Sequence, residues 1–378
     1  MKICLLNVLH DGRDKRMYYK LARSLAEAGH EIISIAPLSN ASLGQTDWVQ
    51  FITVPPVNRF LDRFITIFRL IRLGRKQRAQ IYIAPEPESW MAALCIKMLS
   101  RTKVVLDMHE HIPSEFSKFF PSFFRKAIEQ LCIAFMRFCA RFTDLIILTR
   151  DSFDVFWQGL KTPRVTVINT NHLQPLCRDI PEELSAEFAG TPTLIHQGIF
   201  GDIRGSYQLL AAMKIVREQL PDARCIVLGD YVYGDKEAFQ NAIISEGLEH
   251  ALIMIDRVPF EQVPAYIAVS QVGLILFQPG LPNHKLAMPH KLFDYMREAK
   301  AVIVPDFSVE IAHIVAESDC GLLVDSTSPE RIADAMLYLL QNPDKAEELG
   351  HNGRVAVENK YNWQEDERRL LQAIGRLG

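Results

Sequence analysis

The sequence predicts two α/β domains, each a doubly wound parallel sheet covered by helices on both faces. Three observations carry that reading. Short apolar runs rich in β-branched residues alternate with helix-period segments along the whole chain. The alternation breaks once, from Pro175 to Pro192, in a polar stretch with three prolines and no long apolar run. The chain, at 378 residues, is also longer than one hydrophobic core ordinarily serves.

The elements follow in order. Lys2 to Val8 reads as the first strand; it is too quickly followed by the charges of Asp11 to Arg16 to resemble a secretory leader. Asp14 to Ala28 is a helix with Met17, Leu21 and Leu25 on one face, closed by Gly29, and Glu31 to Ala36 is the next strand. Further strands are expected at Ile81 to Ile83, Lys103 to Leu106, Asp144 to Leu148 and Arg164 to Ile168. Residues 1–175 make the first domain and 176–192 the linker. The second domain, 193–361, carries strands at Thr193 to His196, Arg224 to Leu228, Ala251 to Ile255, Val272 to Phe277, Ala301 to Val304 and Gly321 to Val324. Residues 362–378 form a last helix. In doubly wound sheets ligands bind beyond the carboxyl ends of the strands, so chemistry is sought in the loops that follow them.

Composition narrows the function. Forty-two Lys and Arg against 45 Asp and Glu give no overall signal for nucleic acid. Seven scattered cysteines without a C-x-x-C pair argue for a reducing compartment and against a disulfide framework or structural zinc. The longest apolar stretch, Leu131 to Leu148, is interrupted by Arg137, Arg141 and Asp144, so no membrane span is expected.

The segment from Pro289 to Met296 sits between two of these apolar runs. A proline at the first helical position leaves free amides at the helix start, where an anion docks. Lys291 lies in that first turn and Asp294 shares its face. A cation with free amides suits phosphate and the carboxylate suits ring hydroxyls, a pairing that fits a nucleotide-sugar. The alternative is a surface Lys–Asp pair on an ordinary helix. After the strand Thr193 to His196, the loop from Gln197 to Ser206 has three glycines, including Gly198, that let backbone approach a ligand. Its Arg204 is shaped to fork onto phosphate, and Ser206 is a natural N-cap. The alternative is a tight turn with its arginine in water. G-x-G-x-x-G spacing is absent here and after the first strand, which removes the dinucleotide reading.

In the first domain, Val104 to Leu106 runs into Asp107-Met108-His109-Glu110-His111. Three readings stay open: a metal site of unfamiliar spacing, a buried polar cluster, or a sugar-contacting, proton-handling site centred on His109. The loop after the first strand offers Asp11, Gly12 and Arg16 to an acceptor or to phosphates; alternatively Asp14 is a plain N-cap and Arg16 is solvated. No aspartate lies two positions from another, so the Asp-x-Asp metal motif is missing. Bound phosphates would be neutralised by side chains and helix amides, and neither a metal nor a cofactor is expected.

Two segments of the first domain are basic and apolar together. Val57 to Gln80 mixes Arg63, Arg69 and Arg72 with phenylalanines and isoleucines; Phe116 to Phe142 mixes Phe119 and Phe123 with further cations. Helices of this kind rest on anionic lipid headgroups, or turn their apolar face to the core and their basic back to water. Two in one domain favour peripheral contact with an anionic membrane.

Taken in order, these motifs resemble the retaining glycosyltransferases of family 4, in branches that build bacterial surface polysaccharides. The resemblance covers nearly the full length. It rests on Asp14-Lys15-Arg16, Ala28 to Ile32, Asp107 to Glu110, Gln197-Gly198 through Arg204-Gly205, Pro289 to Met296, Glu317 to Gly321 with Val324-Asp325, and Tyr361-Asn362-Trp363. It implies the GT-B fold: two Rossmann-like domains facing across a cleft, the first for the acceptor, the second for the nucleotide-sugar donor. The last helix would pack back on the first domain. Gly198 and Arg204 would approach the diphosphate, Lys291 would neutralise it, and Asp294 would bond the ribose. His109 would meet the transferred sugar and the reaction centre, with Asp107 and Glu110 among the donor contacts. His109, Arg204 and Lys291 would then carry catalysis, with retention through front-face attack.

The departures are local. Leu286 stands where relatives have the first of two glutamates, and Asp294 where they have the second; Arg204 replaces the usual loop lysine; His10-Asp11-Gly12 replaces a double glycine. The expected activity is transfer from a UDP-sugar, or secondly a GDP-sugar, to a lipid-linked or saccharide acceptor at the inner face of the cytoplasmic membrane. The alternatives are a 2-epimerase-like isomerase using Glu110 or Glu115, and a nucleotide-sugar-binding protein that has lost catalysis.

Overall fold

Seven parallel strands build the first sheet: β1 (Lys2–Leu6), β2 (Glu31–Ala36), β3 (Val49–Thr53), β4 (Ile81–Ala84), β5 (Lys103–Met108), β6 (Leu145–Leu148) and β7 (Arg164–Thr166). Their order is β3-β2-β1-β4-β5-β6-β7. The second sheet uses β8 (Thr193–Gln197), β10 (Arg224–Leu228), β12 (Leu252–Ile255), β13 (Val272–Leu274), β14 (Ala301–Pro305) and β15 (Gly321–Val324), in the order β12-β10-β8-β13-β14-β15. A small ribbon pairs β9 (Phe200–Gly201) with β11 (Tyr231–Tyr233). The computed structural model describes residues 1–9, 12–38, 48–57, 60–109, 111–173 and 180–378.

Inner strands such as β4, β6 and β14 are buried at every position. That is why they read as continuous apolar runs: a parallel sheet covered on both faces leaves no solvated side. Edge strand β3 (VQFIT) is partly exposed and mixes polar with apolar residues, and the sequence reading passes over it.

The chain divides into one unit of Met1–Asn169 with Trp363–Gly378 and another of Thr170–Asn362. The C-terminal helix Trp363–Gly375 completes the first unit's core. Trp363, Leu370 and Ile374 join Ile3, Leu5, Met17, Leu21 and Leu25 in one cluster, and the Trp363 Nε1–H donates to Ser24 Oγ at 2.9 Å. In the second unit Leu194, Val227, Leu274, Ile303 and Met336 share a core.

Two elements differ from expectation. The helix expected from Asp14 starts later, as a wide turn over Met17–Ala22 with the Leu21 amide bonded to the Arg16 carbonyl at 2.9 Å, and continues as Arg23–Glu27. The polar stretch after the first unit holds the helix Glu182–Phe188, anchored by buried Phe188. In both sheets the strand order reverses beside the first strand, between β1 and β4 and between β8 and β13. These are the topological switch points where doubly wound folds bind ligands.

Candidate functional site

At the second unit's switch point, β8 ends in His196 and Gln197, and Gly198 turns the chain with φ +87°. The helix His290–Arg297 faces this turn, its cap Pro289 extended rather than at the first helical position. A side chain on Gly198 would meet the Lys291 stem and ammonium at 3.7 and 3.8 Å, so the glycine leaves that space to the lysine. Lys291 is buried, with Nζ 3.1 Å from His196 Nε2. Burial first, then the Arg204 cation, push the Lys291 ammonium well below its ordinary range, and Asp294 only partly offsets them. Burial and Lys291 likewise push His196 far down, so the imidazole whose Nε2 faces the lysine is neutral.

Arg204 comes from the short turn Asp202–Arg204. Its guanidinium carbon lies 4.3 Å from the centre of the Phe277 ring, its Nε is buried with no hydrogen-bond partner, and burial lowers its pKa. Gly205, at φ +84°, caps the helix Ser206–Gln219; a Cβ there would sit 2.5 Å from the Leu276 carbonyl oxygen. Ser206 is therefore the first helical residue, its hydroxyl bonded to Asp202 and Tyr231. Among the described residues neither Lys291 nor Arg204 forms an ion pair. A buried ammonium and a half-buried guanidinium thus stand beside a glycine turn, an arrangement suited to an anion.

Asp294 is held from three sides. The Asn171 Nδ2 donates at 2.6 Å, Gln197 Nε2 at 2.7 Å and Arg297 Nη2 at 3.3 Å. The Tyr295 hydroxyl accepts from the Gln197 amide at 2.9 Å, and its ring fills the space above Gly273. A carboxylate has about four acceptor positions, so most of Asp294 is spent on fastening the helix to β8.

In the first unit the corresponding loops are fastened from within. Glu86, after β4, accepts from the amides of Val8 and Leu9, each at 2.9 Å. Asp107, at the end of β5, is fully buried and takes a two-point bond from Arg16, Nε at 2.8 Å and Nη2 at 2.6 Å. Burial alone would raise the Asp107 carboxyl; the Arg16 charge and bonds overcome it and hold the group well below the usual carboxylate range. Arg16 is thus turned inward, neither solvated nor offered to phosphate, and Asp107 is closed to a donor. What Asp107 does present is support for His109, whose Nδ1 lies 3.5 Å from Asp107 Oδ2. Asp14 accepts from the amides of Arg16 and Met17, which ties down the turn just ahead of Met17–Ala22. His111 caps the helix Ile112–Ser117 by accepting from the Ser114 amide. Gly12 packs against Leu38, while Asp11 and Glu110 lie outside the described residues.

Two family models match this chain: glycosyltransferase family 4 over residues 15–170 and glycosyl transferases group 1 over residues 185–356. The chain belongs to glycosyltransferase family 4. Spore coat protein SA of Bacillus subtilis (strain 168) is 24% identical over 199 residues, half of this chain and 51% of that protein, so the match spans about half the relative's length. Solved relatives share the GT-B fold. HepE of Anabaena, solved with UDP, has TM-score 0.78 at 12% identity over the whole of both chains, and it has also been solved with UDP-glucose. Sucrose-phosphate synthase of Thermosynechococcus elongatus has TM-score 0.77 at 15% identity, covering 100% of this chain and 98% of that one. WaaG, a glycosyltransferase involved in lipopolysaccharide biosynthesis, has TM-score 0.68 at 13% identity over 99% of each. At such identities the likeness shows the fold alone.

The glycosyltransferase exposes much of the basic, apolar surface read from its sequence. Arg69 and Arg72 are exposed on the helix Phe60–Gln77 beside Phe68, and Phe119 and Phe123 are exposed near the start of the helix Ser122–Ala140. Arg63 is drawn in: it bonds Glu88 at 2.9 Å and lies over the Phe119 ring. No described helix is long and apolar enough to cross a membrane, and no described cluster of three or more His, Cys, Asp or Glu could hold a metal. The sequence reading missed His196, Gln197 as a ligand of Asp294, Tyr295 and Glu86. Only His196, at the end of a strand before a glycine loop, carried a visible signal.

Proposed function

We propose that this glycosyltransferase moves a sugar, with retention, from a nucleotide-diphosphate sugar to a lipid-linked or saccharide acceptor in surface-polysaccharide or glycoconjugate synthesis. A UDP-sugar is the favoured donor and a GDP-sugar the second. The observation that carries this reading is the buried Lys291 beside the half-buried Arg204, neither in an ion pair among the described residues, at the switch point of the second unit. The binding of UDP and UDP-glucose by HepE, a protein of the same fold, supports the choice of nucleotide. As the bond from the anomeric carbon to phosphate breaks, the acceptor oxygen bonds that carbon on the same face, and its proton passes to the departing diphosphate. Lys291 and Arg204 stabilise the charge left on that diphosphate, the contribution that usually dominates such catalysis. The two cations replace a divalent metal, in keeping with the missing Asp-x-Asp motif. We assign His109, steadied by Asp107, to the sugar and acceptor. Asp294 gives its remaining acceptor position to the ribose and otherwise positions Lys291. The exposed basic and aromatic helices support peripheral binding at the inner face of the cytoplasmic membrane.

The test is a thermal-shift panel of UDP, GDP and their hexose conjugates with EDTA present. A ligand at a hundred times its Kd stabilises by about 2.7 kcal/mol, and UDP should give the largest shift. If no nucleotide moves the transition, the reading fails. Incubating the donor alone and looking for an epimer separates transfer from isomerisation.

A further inference from the structure

We propose that an apolar groove in the first unit holds the hydrocarbon chain of an anionic lipid acceptor, with the lipid's polar head at His109. This rests on the transferase reading and names the acceptor class.

The groove encloses about 860 Å³, near the upper end of the roughly 300–1,000 Å³ usual for small-molecule sites. It lies between the helices Phe60–Gln77, Pro87–Met98, Ile112–Ser117 and Ser122–Ala140, all within the first unit. Phe64, Ile67, Trp90, Phe116, Leu131 and Phe135 line it. Phe64 is 51% exposed, Leu131 67% and Phe135 49%. Single exposed apolar side chains are ordinary, but several lining one concave surface mark a binding site. His109 lines the same groove. An apolar trough that reaches an imidazole braced by a buried carboxylate matches an amphiphile: a long chain to fill the trough, a polar end to meet the imidazole.

Charge selects an anionic head. Within the groove, Arg63 and Lys118 are already balanced by Glu88 at 2.9 Å and Glu115 at 2.5 Å. The walls carry the excess. The helix Phe60–Gln77 has five cations against Asp62 alone, and Ser122–Ala140 has three against Glu129. Such walls attract a phosphate-bearing lipid and the anionic surface that would deliver it. Phe68 and Phe123, 73% and 75% exposed, carry the apolar surface beyond the groove onto the same helix and the start of the other.

The experiment uses the full chain and octyl, decyl and dodecyl monophosphate, each below its micellar concentration, titrated by calorimetry. Affinity should rise about fourfold per methylene, equivalent to about 0.8 kcal/mol, and level off once the groove is filled. Phe135→Asp and Leu131→Asp, both at exposed positions, should each weaken decyl phosphate at least tenfold. A retained UDP-induced thermal shift shows that these variants are folded. Affinity independent of chain length, or unaltered in both variants, overturns the proposal. So does binding to phosphatidylglycerol vesicles without binding of monomeric alkyl phosphate, which would make this a membrane-resting face or a peptide groove. If the wild type takes up the alkyl phosphates in this graded way but ignores UDP, the transferase reading fails and the chain site stands.

Discussion

Replacing Lys291 with methionine should make the protein more stable and less active at once. The thioether keeps most of the lysine stem's packing over Gly198 and removes only the ammonium. In the empty site that ammonium is buried, lies beside Arg204 and has a neutral imidazole at 3.1 Å as its nearest partner. Removing it relieves both desolvation and like-charge repulsion. A gain of about 1–2 kcal/mol is the usual scale for relieving such a functional strain, and at about 2–4 °C per kcal/mol for a unit of this size the transition should rise roughly 2–8 °C. Turnover should move the other way, since losing one fixed donor to developing negative charge slows catalysis about 10²–10³-fold. The assays are scanning calorimetry of the empty protein, the UDP-induced shift, and steady-state transfer. A variant that melts lower than wild type, keeps the UDP shift and turns over within threefold of wild type would refute the assignment of Lys291 to the diphosphate.

Asp294→Asn should act on stability as well as on nucleotide binding. It leaves the buried Arg297 guanidinium with Glu298 at 3.5 Å as its remaining carboxylate, so the loss should stay below the roughly 3–5 kcal/mol that stranding a buried charge costs; urea unfolding at unchanged midpoint would contradict this, and calorimetry with UDP tests the ribose contact. The pH dependence follows from Lys291 and His196. Both have folded pKa values below their unfolded ones, so the unfolded chain binds more protons and empty-protein stability should rise with pH, through about 6.5 for His196 and toward about 10.4 for Lys291. A bound diphosphate favours the charged lysine, so UDP binding should take up a proton and weaken as pH rises from 7.5 to 9.5. Calorimetry in buffers of different ionisation enthalpy measures that uptake, and a buffer-independent enthalpy with pH-flat affinity would exclude it.

The fold was legible because its strands are covered on both faces, so burial writes itself into uninterrupted apolar runs such as Ala301 to Val304. β3 was not, because an edge strand answers to one neighbour and mixes in polar residues. The two cations proposed to meet the diphosphate were legible for a related reason. Lys291 and Arg204 declare themselves by local context, one in a first helical turn and one in a glycine loop. Asp107 and Arg16 looked like ligand contacts by the same local logic, but their partners were each other. They lie 91 residues apart in sequence, and pairing at that separation leaves no local trace. Glu86 escaped for that reason too, since the amides it holds lie 77 and 78 residues away.

The two switch points therefore treat charge in opposite ways. In the first unit the described carboxylates Asp107 and Glu86, at the ends of β5 and β4, are answered, Asp107 by Arg16 and Glu86 by two amides and Ser89. What remains is an orienting frame that presents one imidazole. In the second unit the frame is equally tight, with Asp294 and Tyr295 fastening the helix, yet the two cations it positions are left unanswered. An unpaired buried charge weakens a folded protein, so it persists where a ligand's charge completes it. With Lys291 desolvated and Arg204 half-buried, both would need little rearrangement as negative charge grew on a leaving diphosphate, and the binding they offer would strengthen as that charge developed. The instability of the empty site and the speed of the reaction would then share one origin, which is why a single substitution at Lys291 should move them in opposite directions.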